Sequence, residues 1–204
     1  MSSSMRRASL LGLPLVLMAA LALGEDPPAD PALVPGSDDR VTMYRADAQG
    51  QREALGTIVL RPMKGGGLRL IPDLQGLPPG EHGFHIHHLA QCQPGREEDD
   101  SPAIGQQAGP HLDPAGTDRH AGPGGGGHLG DLPRLQVDEQ GRATVEVEAP
   151  HVSLKDVVGR ALVIDAGGDA YDEASDSAWE EGHPIACGII SPGPLRRPGA
   201  DRSR

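Results

Sequence analysis

Aromatic side chains are almost missing from this chain of 204 residues, which has one Trp, two Tyr and one Phe. A core with so few of them buries less apolar area per residue, so cross-links should matter to its stability. Cysteine is nearly as scarce, with only Cys92 and Cys187. No cysteine follows the N-terminal apolar run, so a lipoprotein anchor is unsupported. Positive charge is short as well: 18 Lys and Arg stand against 29 Asp and Glu, a formal net charge of −11. That balance argues against nucleic acid and anionic lipid surfaces as partners. Long amphipathic helical periodicity is also absent, which excludes a helical bundle.

The one long apolar run is Leu10 to Leu23, preceded by Arg6 and Arg7 and followed by small residues up to Gly24. It is short for a membrane span and lacks a flanking stop-transfer cluster, so residues 1–24 read as a secretory signal peptide. The mature protein is then expected in the periplasm or outside the cell, with no membrane association after cleavage. An oxidising compartment favours a bridge between the two cysteines. Closing a loop of that length stabilises by about 4–5 kcal/mol in the chain-entropy model.

Residues 25–39 read as a mobile linker rich in Pro and Asp, and residues 191–204 as a mobile polar tail. Between them, residues 40–190 carry short strand-like runs divided by turn residues. The runs are Val41–Tyr44, Leu55–Leu60, Gly67–Ile71, His82–His87, Leu132–Val137, Ala143–Ala149, Ala161–Asp165 and Ile185–Ile190. Val145 and Val147 alternate with Glu146 and Glu148, one face in and one face out. The pattern predicts an all-β domain of eight strands, an antiparallel sandwich or barrel. Two long segments, His88–Gly127 and Ala166–Pro184, do not fit as strands. Loops of that length in a compact domain are usually functional or disordered, and both adjoin the ligand-bearing strands.

His82-Gly83-Phe84-His85-Ile86-His87 is the chemical centre of the sequence. On a strand, residues two apart share a face, so His85 and His87 can aim two imidazoles at one point. His111, His120, His128 and Asp131 follow in a Gly- and Pro-rich stretch and complete a candidate metal constellation. His82, His88, His151 and His183 read as solvated or core residues.

Five motifs in order carry a family resemblance: Gly83-Phe84-His85-Ile86-His87, Gly109-Pro110-His111-Leu112-Asp113-Pro114, His120-Ala121-Gly122-Pro123, His128-Leu129-Gly130-Asp131-Leu132 and Ala186-Cys187-Gly188-Ile189-Ile190. Together they resemble the copper/zinc superoxide dismutase family. The Pro78-Pro79-Gly80 turn and the long first loop resemble its bacterial periplasmic branch. The resemblance implies a Greek-key arrangement of the eight strands and a disulfide between Cys92 and Cys187. It implies one structural zinc on His111, His120, His128 and Asp131. Three imidazoles and a carboxylate close a tetrahedral shell without an open position, which suits that role. It implies copper on His85, His87 and a bridging His111, with Asp169 bonded to the free nitrogens of His85 and His120. A homodimer is one assembly the family leaves open.

Two positions depart from the family pattern. Asp165 stands where the strand Gly159-Arg160-Ala161-Leu162-Val163-Ile164 should end in a fourth copper histidine. Pro184 stands where an arginine should hold the superoxide anion, so no residue is a certain catalytic group. The second loop, from Asp165 to Pro184, also carries seven acidic residues and no Lys or Arg. An acidic approach repels an anionic substrate. Copper is therefore expected to be held weakly, and turnover of superoxide to dioxygen and hydrogen peroxide to be impaired. The alternative is a non-catalytic, zinc-stabilised protein that binds metal or a partner, with the acidic loop and Trp179 as a contact surface.

Overall fold

A computed structural model of the chain describes residues 34–37, 40–50, 53–96, 102–124, 126–171 and 182–196. The expected signal peptide, Trp179 and most of the acidic loop lie outside the described residues. Eight strands form one antiparallel sheet: β1 Arg40–Arg45, β2 Ala54–Pro62, β3 Leu68–Gln75, β4 Phe84–His87, β5 Arg142–Ala143, β6 Val147–Ala149, β7 Arg160–Asp165 and β8 Pro184–Ile190. Their order across the sheet is β5-β3-β2-β1-β8-β7-β4, with β6 also on β3. The last strand in sequence thus enters between the first and the seventh, a non-sequential insertion of the Greek-key kind. Gly80–His82, just before β4, pairs with Leu135–Val137, just before β5. This ladder joins the two edges of the sheet and curls it towards a barrel, which leaves little exposed edge.

The interior follows from alternation. On β3, Leu68, Leu70, Pro72 and Leu74 are buried while Arg69, Ile71, Asp73 and Gln75 are not. Phe84 and Ile86 point into the same core, so His85 and His87 must point out of the barrel. On β7, Leu162 and Ile164 face the main core, whereas Ala161 and Val163 pack with Cys92, Ala108 and Cys187 outside it. β7 therefore reads apolar on both faces because the first long loop covers its outer side. The Cys92–Cys187 disulfide, with Cα atoms 5.7 Å apart, pins that loop to β8.

Two expected strands are shorter than their runs suggest. Only Leu135–Val137 of the Leu132–Val137 run is a strand. The Ala143–Ala149 run divides into β5 and β6, which keep one register on β3 while the ladder lapses between them. Val145 falls in that gap and is exposed, so of the two valines expected to face inward only Val147 does. Outside the sheet, Val34–Ser37 pairs antiparallel with Pro192–Arg196, segments that carry no periodic signal in the sequence.

Candidate metal centre

The outward face of β4 is where the histidines meet. His85 lies opposite Val163 of β7 on one side and Asp131 on the other; His87 lies opposite Ala161 and His111. The loops that bring His111 and Asp131 there are clamped to β4 by backbone bonds. Leu112 N donates to Ile86 O at 2.8 Å, and Ile86 N donates to Gly130 O at 2.9 Å. Gly130 is needed at this approach, because a Cβ there would run into the Ile86 carbonyl.

Asp131 organises one half of the centre. Its Oδ1 lies 3.0 Å from His111 Nδ1, 3.1 Å from His120 Nδ1 and 3.4 Å from His128 Nδ1. Donors on one tetrahedral zinc, each at its usual bond length, are about 3.3 Å apart. Each nitrogen therefore lies at about ligand spacing from Asp131, and among the described residues the donor atoms of His85, His111, His120 and Asp131 all lie within 4.8 Å of one another, a group that does not include His128. Asp131 is fully buried, and its backbone carbonyl is held by His151 Nε2 at 3.1 Å.

The other half is built on β4 and the end of β7. His87 Nδ1 donates to Gly109 O at 2.7 Å, which fixes the tautomer and leaves Nε2 with its lone pair. That Nε2 is buried without a hydrogen-bond partner among the described residues, as is His128 Nδ1. Orphaned buried nitrogens of this kind are costly unless an ion or water meets them. The ring of His111 lies between the two halves, with centroids 4.1 Å from His85, 5.0 Å from His87 and 5.4 Å from both His120 and His128. Asp169 ties the halves together: Oδ2 accepts from His85 Nε2 at 3.0 Å and Oδ1 from His120 Nε2 at 2.6 Å. His85 is thereby left with Nδ1, and Asp165 Oδ2 faces it at 2.9 Å.

The two departures from the family pattern are neighbours in space. Asp165 pairs with Pro184 across β7 and β8, beside the bulge at which Ile185 is skipped. Asp165 is buried and Pro184 carries no charge; its ring lies against Gly105 of the first long loop.

The electrostatics of the metal-free chain divide the histidines. Burial disfavours the charged form of His85, but the carboxylates of Asp165 and Asp169 outweigh it and hold the ring pKa at about 9. Hydrogen bonds to Asp131 and Asp169 raise His120 to about 10 against the cost of burial. Burial and the neighbouring His111 push His87 down to about 3, and burial with His85 nearby lowers His111 to about 4. Burial opposes ionisation of Asp131 and Asp169, yet the hydrogen bonds from their histidine partners keep both well below the usual carboxylate range. Such opposed shifts among buried neighbours mark this cluster as the candidate functional site.

Three residues that sequence reasoning missed hold this arrangement. Arg134 Nε donates to the backbone carbonyl of Asp169 at 2.8 Å, and its guanidinium lies 4.5 Å over the Tyr171 ring. Tyr171 Oη accepts from Arg134 N at 2.8 Å, and its ring packs on Gly122, two residues after His120. His82 is buried and bridges the carbonyls of Asp165 and Pro78 at 2.7 and 2.8 Å. Its place in the His-rich motif was a signal for His82; nothing in the sequence joins Arg134 to Tyr171.

A model of the copper/zinc superoxide dismutase family (SODC) matches residues 54–190. The chain is 43% identical over 155 residues to superoxide dismutase [Cu-Zn] 2 of Salmonella typhimurium, covering 76% of this chain and 88% of that protein. Among solved structures it resembles the Cu/Zn superoxide dismutase from Brucella abortus, with a TM-score of 0.70 and 38% identity over 74% of this chain and 98% of that one. It also resembles the monomeric copper, zinc superoxide dismutase from Salmonella enterica, with a TM-score of 0.67 and 44% identity over 74% and 98%. On sequence, topology and the shared face of β4, the chain belongs to the copper/zinc superoxide dismutase family.

Proposed function

We propose that this chain is an exported, impaired superoxide dismutase that holds zinc firmly and copper weakly. Zinc is assigned to His111, His120, His128 and Asp131, and copper to His85, His87, His111 and Asp165. The observation that carries the reading is the pair of donor groups around His111. One sets three nitrogens within 3.4 Å of Asp131 Oδ1; the other leaves the buried His87 Nε2 unpartnered, with its ring 6.4 Å from that of His85, whose Nδ1 faces Asp165 Oδ2 at 2.9 Å. Copper, when bound, supplies a one-electron acceptor and donor, the chemistry needed to convert superoxide to dioxygen and hydrogen peroxide.

The protein's own residues position that chemistry. Asp169 fixes the His85 and His120 rings from behind, and the Gly109 carbonyl fixes His87. His111 offers Nδ1 to the zinc side, leaving Nε2 for the copper side. At the position of the family's arginine stands the uncharged Pro184, and the acidic composition of residues 165–184 disfavours an anionic substrate. Steering by a positive approach is worth about 10–10³ in association rate, so its loss alone makes turnover slow.

Metal analysis of the purified mature protein, paired with a superoxide-disproportionation assay, tests this. The expected result is at least one zinc per chain, partial copper, and copper-dependent activity well below the diffusion limit. Full copper with turnover at that limit would refute the impairment. Zinc without any copper uptake would favour the second reading, a non-catalytic metal-binding or interaction protein, which the joint replacement at Asp165 and Pro184 supports.

A further inference from the structure

The two donor groups are chemically the same. Each is three imidazoles and one buried carboxylate, and His111 belongs to both. Asp165 meets one member of the second group, His85, as Asp131 meets the members of the first. Its Oδ2 lies 2.9 Å from His85 Nδ1, close to the 3.0–3.4 Å that separates Asp131 Oδ1 from its three nitrogens. Asp165 is also held in that pose. Its N donates to Gly83 O at 3.0 Å, and its carbonyl meets His82 Nδ1 at 2.7 Å. The bareness of Gly83 makes the room, since a Cβ there would lie 3.0 Å from His85 Cε1 and 3.2 Å from Asp165 Oδ2.

A carboxylate changes what such a site can retain. Its attraction to an ion scales with the ion's charge, and in a water-poor site that difference is large. It is also a hard donor, suited to divalent ions and poorly suited to Cu(I), whereas imidazole serves Zn(II) and both copper states. Zinc has no redox chemistry and no geometric preference, so a set that suits one His₃Asp site suits the other.

We propose that Asp165 makes the second site a divalent-ion site, open to Zn(II) as well as Cu(II), that does not retain Cu(I). This rests on the assignment of His85, His87 and His111 as donors made above, and adds a function to it. Copper held there as Cu(II) would be lost on one-electron reduction, whether by superoxide, which would leave as dioxygen, or by another reductant, and a further turnover would need a fresh supply of Cu(II).

The test uses native mass spectrometry of the mature, disulfide-bonded protein. Zinc alone should give two zinc ions per chain, and zinc followed by Cu(II) should give one of each. Anaerobic reduction with ascorbate in the presence of bicinchoninate, which colours on binding Cu(I), should then strip the copper and leave the zinc. Asp165→His should keep its copper under the same treatment, with transfer to the chelator slowed at least about tenfold. Copper retained by the natural protein after reduction would overturn the inference while leaving the copper site intact, and needs no variant to observe. Uptake of only one zinc, with Cu(II) still bound, would overturn the divalent reading. Failure of any second ion to bind would sink the assignment of the donors as well.

Discussion

The two donor groups around His111, one assigned above to zinc and the other to copper, share that histidine and differ in how they are made. The first gathers its donors from loops around a single buried carboxylate, with three imidazole nitrogens 3.0–3.4 Å from Asp131 Oδ1. The second hangs on two rigid strands, with His85 and His87 on β4 and Asp165 at the bulged end of β7. The loop-built half keeps every residue of the family pattern, and the strand-built half has lost one ligand and the nearby cation. The loop half is clamped to β4 by backbone hydrogen bonds and converges on Asp131, so replacing Asp131 removes the carboxylate its histidines share. The strand half is held by the barrel whether or not an ion is present, and a replacement there alters chemistry while leaving the fold in place.

The strongest break in this comparison is Asp131→Ala. Removing one member of a buried charged network costs about 3–5 kcal/mol, and thermal unfolding in zinc should show that loss along with most of the zinc-induced stabilisation. Asp165→Ala, by contrast, should leave the zinc-dependent unfolding temperature close to that of the natural protein. Equal losses in the two variants would end the distinction between loop-built and strand-built halves.

Restoring the strand half is the next largest effect. The double change Asp165→His and Pro184→Arg should raise copper-dependent superoxide disproportionation by about 10–10³, the range that electrostatic guidance supplies. The expected signature is a rate that falls with added salt in the double variant and barely moves in the natural protein. An unchanged rate in a fully copper-loaded double variant would place the defect elsewhere, in the acidic loop.

Acidity separates the halves from the metal-free side. His120 holds its proton up to about pH 10, so zinc must displace it, and apparent zinc affinity should rise about tenfold per pH unit between 7 and 9. The stability of the metal-free chain should run the other way. His85 and His120 have raised pKa values, so their stabilising contribution is complete below about 6.5 and is lost as pH climbs through about 9 and about 10. Zinc titrations against a competing chelator, with unfolding curves at the same pH values, check both signs.

The smallest effect concerns the bracket behind Asp169. Arg134→Met removes the hydrogen bond to the Asp169 carbonyl and the stacking on Tyr171. It should weaken zinc binding by about tenfold, as loss of an outer support does. The absorption spectrum of cobalt substituted at the zinc position should shift in Arg134→Met and return towards normal in Arg134→Lys. A spectrum identical to that of the natural protein would show that Arg134 serves stability alone.

Much of this centre was legible in the sequence, for a physical reason. His85 and His87 were readable because strand alternation is local, and the eight-strand pattern because turns punctuate it. The joining of Asp165 to Pro184 was not visible, since 18 residues part them in sequence and only the β7–β8 register brings them together. The division of the Ala143–Ala149 run was hidden because an unbroken alternation of Val and Glu says nothing of where a partner strand stops bonding. Arg134 and His82 act through backbone carbonyls and Tyr171 through the backbone N–H and guanidinium of Arg134, contacts that no residue pattern advertises.

The most direct measurement is anomalous X-ray scattering at the zinc and copper absorption edges from crystals of the metal-loaded protein. The account predicts a zinc signal enclosed by Nδ1 of His111, His120 and His128 with Oδ1 of Asp131, and a separate Cu(II) or zinc signal among His85, His87, His111 and Asp165. Zinc bound away from Asp131, or a second ion that leaves Asp165 untouched, would contradict it.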